Sequence, residues 1–84
     1  MYTVRIVPHA QRQLDRLPEN LRTRISQRLL ALEDNPRPRG VKKLKGPEGY
    51  YALRVGDYRV IYDIQDDQLA VVIRIRHPRD AYRR

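Results

Sequence analysis

The stretch YYALRVGDYRVIY, residues 50–62, decides the fold of this chain because it has the pattern of a β-hairpin. Apolar and polar side chains alternate on both sides of Gly56-Asp57, and a glycine in such a pair is typical of a tight two-residue turn. A turn of this length pairs Val55 with Tyr58 across the two strands. The turn therefore fixes which residues pair across the hairpin, and the pairing of the next strand can be counted from these pairs.

Both strands of the hairpin carry an arginine at the same level. Counting from the turn places Arg54 directly opposite Arg59. A further strand is predicted over residues 68–76. If its turn at residues 66–67 also has two residues, Arg74 lies opposite Arg59. The sequence thus predicts a row of three arginines on one face of the sheet, because alternate side chains of a strand share a face.

Arg54, Arg59 and Arg74 would repel one another in such a row. Directly opposed like charges destabilise a sheet by roughly 0.2 to 1 kcal/mol per pair, so stability does not explain them. Acidic side chains are scarce on this face, where only Asp63 is predicted within a strand. A bound anion would give the row a purpose. The alternative is a solvated outer face whose arginines extend into water.

The opposite face of the predicted strands is apolar and should form the core. Its members are Tyr51, Leu53, Val55, Tyr58, Val60, Tyr62, Ile64, Leu69, Val71, Ile73 and Ile75. Alternation over residues 2–6 predicts a first strand that Pro8 ends, and helical spacing then predicts two helices broken at Pro18. The second helix should stop at residues 35–36. The order βααβββ predicts a single α+β domain over residues 1–84, with the N-terminal strand and the helical hairpin packed on one face of a twisted antiparallel sheet.

The charge of the chain is strongly positive. Its 18 lysines and arginines outnumber 10 aspartates and glutamates, which gives a formal net charge of +8 and a pI near 10.4. Only Lys42, Lys43 and Lys45 are lysines, so fifteen of the 18 are arginines, whose planar fork suits phosphate. This excess favours a nucleic-acid partner, the alternative being a basic surface that serves only solubility. The three lysines precede the hairpin in an apparent loop, and we expect them to contact an RNA backbone without sequence preference.

Composition also limits which metal or disulfide sites the chain can form and where in the cell the protein is expected. The chain has no cysteine, which excludes disulfides and thiolate zinc sites and suits a reducing cytoplasm. Residues 69–73 form the longest apolar run, which is too short to span a bilayer, and the first residues lack the apolar segment of a signal peptide. We therefore expect a cytoplasmic protein without a membrane partner. Two isolated histidines, His9 and His77, predict neither a metal site nor a cofactor.

The segments KKLKGPEGYYALRVGDYRVIY (42–62) and IRHPRDAYRR (75–84) resemble the RelE/ParE superfamily of bacterial toxins, most of all its RelE-like ribosome-dependent mRNA endonucleases. The resemblance covers essentially the whole chain. It implies a small α+β toxin of a type II toxin–antitoxin system, held inactive by a cognate RelB-like antitoxin. When free, such a toxin enters the ribosomal A site and cuts the mRNA codon there. Operator DNA would be bound only through the toxin–antitoxin complex.

Carried over position by position, the resemblance implies catalytic roles for three residues. Arg54 and Arg59 match two basic sheet residues of the family, and Tyr82 matches its C-terminal tyrosine. Three positions depart from the family pattern, and one of them is Arg76, which takes the place of a family glycine. Ala52 stands where a lysine has been proposed as the general base, and Pro78 stands where many members have an arginine implicated in protonating the leaving group. The source of the proton chemistry is therefore open.

Metal-free RNA cleavage needs a proton acceptor for the attacking 2′-hydroxyl, cations on the phosphate and an acid for the 5′-oxygen. Arg54 and Arg59 suit the cationic role, but arginine stays protonated and is a poor base. The residues expected to add RNA contacts at the C-terminal end are Arg74, Arg76 and Arg79. His77 has two possible roles. A histidine side chain suits proton transfer near neutral pH, but strict alternation places His77 on the core side, which favours a structural role. Tyr82 either meets the RNA, by stacking on a base or orienting the 2′-hydroxyl, or anchors the chain end to the core.

Two other functions remain open from the sequence. One is inhibition of DNA gyrase, because ParE toxins share this scaffold and the family lysine and arginine are missing at Ala52 and Pro78. The other is a non-catalytic module that binds ribosomes or RNA through its basic surface. Cleavage of A-site mRNA by the purified protein would separate the endonuclease from both.

Overall fold

The helices and strands follow the predicted order, with one short strand added. The computed structural model of the chain describes residues 2–46, 49–66 and 69–77. Its elements in chain order are β1 (Thr3–Ile6), α1 (Pro8–Asp15), α2 (Glu19–Ala31), β2 (Lys42–Lys43), β3 (Tyr51–Val55), β4 (Tyr58–Asp66) and β5 (Leu69–Arg76). They form one five-stranded sheet with the strand order β1-β5-β4-β3-β2.

The α+β architecture predicted from the sequence is confirmed. Strands β2 to β5 are antiparallel neighbours, and β1 lies at the other edge, parallel to β5. Buried side chains of α1 and α2 join those of β3, β4 and β5 in a single core. The addition is β2, which forms within the lysine run that the sequence analysis assigns to a loop.

Prolines set the boundaries of both helices. Pro8 lies in the first turn of α1, where its missing N–H leaves no hydrogen bond unmade, and β1 ends at Ile6 just before it. Pro18 is the N-cap of α2 and, having no N–H, cannot continue α1. The helical break predicted at Pro18 is therefore confirmed.

Strands β4 and β5 do not pair in the register that a two-residue turn at residues 66–67 predicts. Asp66 pairs with Leu69, where that turn would have paired Gln65 with Gln68. The prediction failed because two aspartates without a glycine are a weak signal for a two-residue hairpin turn.

Two β-bulges interrupt the β4–β5 ladder. One adds Gln65 to β4 and the other adds Ile73 to β5. Each bulge moves the pairing by one residue, so the β5 positions that face the core change at the bulge in that strand. Because the two bulges lie on opposite strands, their shifts cancel beyond Ile61. Arg59 therefore pairs with Arg76, as counting from Asp66 opposite Leu69 requires, and the predicted pairing of Arg59 with Arg74 is wrong.

The bulges also change which β5 side chains are buried. Ala70 and Val72 are 0% exposed and Ile75 is 3% exposed. Simple alternation predicts Leu69, Val71, Ile73 and Ile75 for the core in place of Ala70 and Val72. The side chains of Leu69, Val71 and Ile73 lie outside the described part of the structure. Residues 69–73 are apolar throughout, so no polar side chain marks the outer face there. The predicted core position is confirmed in this strand at Ile75, whereas the burial of Ala70 and Val72 was not predicted.

Helix α1 covers the end of β5 that β1 does not reach. Strand β1 pairs with β5 only as far as Ile6 opposite Val72. Beyond this point the Oε1 atom of Gln13 in α1 accepts a 2.8 Å hydrogen bond from the Ile75 backbone N–H. A buried backbone donor is thereby satisfied without a strand partner. This contact fixes β5 just before Arg76.

Tyr62 ties the sheet to the loop after α2. Its side chain is 0% exposed, and its hydroxyl donates a 2.6 Å hydrogen bond to the Pro36 backbone carbonyl. Its ring stacks on that of Tyr51, with 5.7 Å between centroids. Burial raises the pKa of Tyr62 to about 12.

Replacing Tyr62 with phenylalanine should lower the free energy of unfolding by about 1 to 3 kcal/mol, because the Pro36 carbonyl would lose its buried donor while the ring stays in place. Chemical denaturation monitored by circular dichroism measures the loss. Tyr58→Phe is the matched control, since no hydrogen bond from its hydroxyl to a buried carbonyl is found in the described residues. Equal stability of the Tyr62→Phe variant and the unmodified protein would contradict the prediction.

Candidate nucleic-acid interface

Among the described residues, five arginines lie on the sheet face opposite the helices. Arg5 is on the edge strand β1, and the other four, here called the arginine face, are Arg54 on β3, Arg59 on β4, and Arg74 and Arg76 on β5. Arg59 lies directly opposite Arg54 on one side and Arg76 on the other. The predicted pairing of Arg54 with Arg59 is confirmed, and Arg76 takes the place predicted for Arg74. Arg74 instead pairs with Ile61, one step along the same face.

A basic cleft lies at the β2 end of the arginine face. It has a volume of about 180 Å³ and is lined by Gly40, Lys42, Ala52, Arg54 and Arg59. Its lining combines three cations with two residues that have little or no side chain. The chain enters the cleft through Gly40, whose φ of 89° lies in the left-handed region that favours glycine. Such a concave cationic surface is suited to a phosphate group.

The guanidinium of Arg54 is positioned by the turn of its own hairpin. Its Nε donates a 3.1 Å hydrogen bond to the Gly56 backbone carbonyl. Gly56 adopts a φ of 60°, and the Arg24 side chain of α2 packs beside it, so the turn is supported from the helical side. Because the bond to Gly56 uses Nε, the two terminal NH₂ groups of Arg54 remain as donors for an anion.

Strand β2 separates lysines that the sequence analysis treats as one group. Lys42 pairs with Ala52 and lies on the arginine face, where it lines the basic cleft. Lys43 pairs with Tyr51 on the other face, and its Nζ lies 5.9 Å from the centroid of the Tyr51 ring. Lys45 is exposed beyond the strand. The loop assigned to Lys42 and Lys43 is therefore wrong, because both residues belong to a strand.

A second group of cations gathers at Tyr51, and the sequence did not reveal it. Arg37 donates a hydrogen bond from Nε to the Tyr51 hydroxyl at 3.1 Å. The turn that carries Arg37 is held by its backbone N–H, which donates to Asn35 Oδ1 at 3.0 Å. The hydrogen bond from Arg37 is the main reason that the pKa of Tyr51 is lowered. Fourteen residues separate Arg37 from Tyr51, and no local pattern links them.

Replacing Arg37 with glutamine should raise the pKa of Tyr51 toward its ordinary value of 10.0, since the cation that favours the phenolate is removed. In the unmodified protein Tyr51 should ionise well before Tyr62, whose pKa is about 12. NMR titration of ring-labelled tyrosine resolves the two groups. Replacing the exposed Arg39 with glutamine is the matched control, and a Tyr51 pKa that is the same in all three proteins would contradict the assignment.

The structure places His77 away from the arginine face. Its ring meets the Tyr58 ring edge-on, with 5.0 Å between centroids, and Tyr58 packs against the core. This is the side of the sheet that strict alternation predicts for His77. Its role in proton transfer stays a prediction. Tyr82 and Arg79 lie outside the described residues.

Neither a metal-binding cluster nor a membrane-spanning helix is found in the described part of the chain. Residues 2–46, 49–66 and 69–77 contain no group of three or more histidine, cysteine, aspartate or glutamate side chains that could hold a metal ion. Within the same ranges, neither helix is long and apolar enough to cross a membrane.

Comparison with known proteins places the chain in a family. Residues 4–82 match the family described as the ParE toxin of the type II toxin-antitoxin system parDE. Toxin RelG of Mycobacterium tuberculosis is 34% identical over 85 aligned positions, which cover 99% of this chain and 98% of RelG.

Solved structures of similar fold agree with this match. The toxin–antitoxin complex RelBE2 of Mycobacterium tuberculosis contains a chain that is 32% identical, with a TM-score of 0.79 over 90% of this chain and 96% of that one. The RelE–RelB complex of Pyrococcus horikoshii OT3 contains another at 32% identity, with a TM-score of 0.80 over 90% of this chain and 93% of that one. This chain therefore belongs to the RelE/ParE superfamily of toxins from type II toxin–antitoxin systems.

Proposed function

We propose that this protein is a ribosome-dependent endoribonuclease that cleaves mRNA in the A site without a metal ion and thereby inhibits translation. The observation that carries the proposal is the basic cleft, where Lys42, Arg54 and Arg59 meet around a volume of about 180 Å³. None of the lining residues that the structure describes is acidic. A phosphodiester is the anion that the charge and composition of the chain favour.

In the proposed reaction the 2′-oxygen of one nucleotide attacks the adjacent phosphorus, and the bond from phosphorus to the 5′-oxygen breaks. The products are a 2′,3′-cyclic phosphate and a 5′-hydroxyl. Arg54 and Arg59 hold the non-bridging phosphate oxygens, on which negative charge increases in the transition state. Fixed donors of this kind typically contribute about 10²- to 10³-fold each to the rate. The ribosome would hold the mRNA in the geometry of attack, which contributes by orientation.

Other cations extend the proposed RNA contacts along the sheet. Arg74 and Arg76 continue the arginine face away from the basic cleft and would bind neighbouring phosphates of the mRNA. Lys43 and Lys45 would bind the ribosomal RNA backbone. At the C-terminal end, the contributions proposed for Arg79 and Tyr82 are a phosphate contact and a stacked base.

The proposed protein partner is a RelB-like antitoxin. Similar toxins from Mycobacterium tuberculosis and Pyrococcus horikoshii were solved in RelB complexes. A net charge of +8 on the toxin favours an acidic partner segment. We expect this segment to cover the arginine face in the inactive complex, and operator DNA to be bound only through that complex. The toxin itself would act in the cytoplasm.

Purified protein added to ribosomes programmed with a defined mRNA tests the function. We expect new 5′ ends within the A-site codon, formed in the presence of a metal chelator and absent when ribosomes are omitted. Intact mRNA would overturn the endonuclease assignment. Ribosome binding that is steeply salt-dependent, combined with intact mRNA, would instead indicate a non-catalytic binding module.

Inhibition of DNA gyrase is the second candidate, because the matching family is described as the ParE toxin and Ala52 replaces the family lysine. A supercoiling assay on relaxed plasmid separates the two candidates. The endonuclease should leave supercoiling unchanged at concentrations that cleave A-site mRNA. Blocked supercoiling with intact mRNA would establish the gyrase inhibitor.

A further inference from the structure

The proposed cleavage lacks a group that can accept the proton of the 2′-hydroxyl. Arg54 and Arg59 are unsuited, because a guanidinium stays protonated. Position 52 holds alanine, which has no titratable group. His77 contacts Tyr58 on the core side of the sheet rather than the basic cleft. Within the described part of the chain, the remaining candidates for the proton acceptor are the other residues that line the cleft.

Among the described residues that line the cleft, Lys42 is the one whose side chain can exchange a proton. The residues around the cleft are Gly40, Lys42, Ala52, Arg54 and Arg59. An amine differs from a guanidinium in that a protein environment can release its proton, which is why lysines serve as general bases elsewhere. Lys42 thus lies in the cleft and carries an amine that can accept a proton.

The strand pairing explains how Lys42 reaches this place. Lys42 and Ala52 are directly opposed on neighbouring antiparallel strands. The Cβ atoms of such a pair are about 4.5 to 5.5 Å apart and point to the same face of the sheet. An amine carried by residue 42 therefore projects into the space that a side chain at position 52 would occupy. The methyl group of Ala52 leaves that space open.

We propose that Lys42 accepts the proton from the attacking 2′-hydroxyl. Lys42 would thus act as the general base from the neighbouring strand, a task that the methyl group of Ala52 cannot perform. This inference rests on the proposed endonuclease function. The neutral Lys42 amine takes the 2′-hydroxyl proton and becomes an ammonium ion as the 2′-oxygen bonds to phosphorus. The bond to the 5′-oxygen breaks, and water protonates that oxygen. The resulting hydroxide removes the proton from the Lys42 ammonium and restores the amine.

Single-turnover cleavage on programmed ribosomes, at saturating toxin, tests the role of Lys42. Lys42→Ala should lower the cleavage rate by about 10²- to 10⁴-fold, the usual contribution of a general base. Lys42→Arg should be impaired to a similar degree, since arginine preserves the charge but retains its proton. Ribosome binding by Lys42→Arg should be unchanged. Both variants should remain folded because residue 42 is exposed, and thermal unfolding checks this.

Relocating the amine provides the positive test. Adding Ala52→Lys to the Lys42→Ala variant should restore the cleavage rate by at least about tenfold, because residue 52 opens into the same cleft. Adding Asn20→Lys instead is the matched control. Asn20 is exposed on α2, so this variant has the same net charge but no amine in the cleft, and its rate should stay low.

The pH dependence of the rate distinguishes Lys42 from His77. General-base catalysis by a lysine amine predicts a cleavage rate that rises with pH, and His77→Gln should keep that rise. Lys42→Arg should lose it. A Lys42→Arg variant that cleaves like the unmodified protein, or a rise that disappears only in His77→Gln, would overturn the inference while the endonuclease function stands. Failure of the unmodified protein to cleave would overturn the function itself, and the inference with it.

Discussion

Cleavage of A-site mRNA should fall by about 10²- to 10³-fold when Arg59 is replaced with alanine, which is the loss typical of removing a fixed donor from a developing oxyanion. Arg59 lines the basic cleft and lies between Arg54 and Arg76 at the centre of the arginine face. Single-turnover cleavage on programmed ribosomes measures the loss. In growing cells, the same substitution should abolish toxicity.

The Arg59→Ala variant should remain folded. Arg59 is exposed and faces two other arginines, so its removal takes away repulsion rather than core volume. Arg28→Ala is the matched control, because Arg28 is an exposed arginine on α2, on the helical side of the sheet. It should cleave at the unmodified rate. Full activity of Arg59→Ala would show that the arginine face is not the phosphate site.

Arg59→Lys should recover only part of the lost rate. Lysine restores the positive charge, but it lacks the planar fork that binds two phosphate oxygens at once. Measuring this variant together with Arg59→Ala separates charge from geometry. A rate equal to that of the unmodified protein would mean that charge alone is required at this position.

The largest loss of stability should come from Val72→Asp. Val72 is 0% exposed and lies opposite Tyr62 within the core. An unpaired charge in such a position costs about 3 to 5 kcal/mol, which is much of the total stability of a small domain. We expect the variant to be unfolded or nearly so at room temperature, as measured by circular dichroism and chemical denaturation.

Val72→Asp also tests the β-bulge in β5. Without the bulge, continuous alternation would place residue 72 on the arginine face, where a carboxylate would be tolerated. Arg74→Asp is the matched control, because Arg74 is exposed on that face, and this variant should stay folded. A stable Val72→Asp protein would contradict the register of β4 and β5.

The sequence was a good guide where structure depends on neighbouring residues. The Gly56-Asp57 turn fixes the pairing of Arg54 with Arg59 within six residues of chain, and Pro18 ends one helix and begins the next. Half of the arginine face was therefore predictable from the hairpin. The basic cleft was not, because Lys42 reaches it only through a two-residue strand that has no sequence signature.

Local chemistry thus determined the fold class, the hairpin and the basic character of one sheet face, because turns, prolines and alternation act over a few residues. Tertiary structure decided the rest. It selected Arg76 over Arg74 as the partner of Arg59, placed Lys42 beside Ala52, and brought Arg37 to Tyr51. These contacts depend on strand register and on the burial of a core. Because the run in β5 is apolar on both faces, its sequence does not decide which side chains are buried. Packing against the helices decides this.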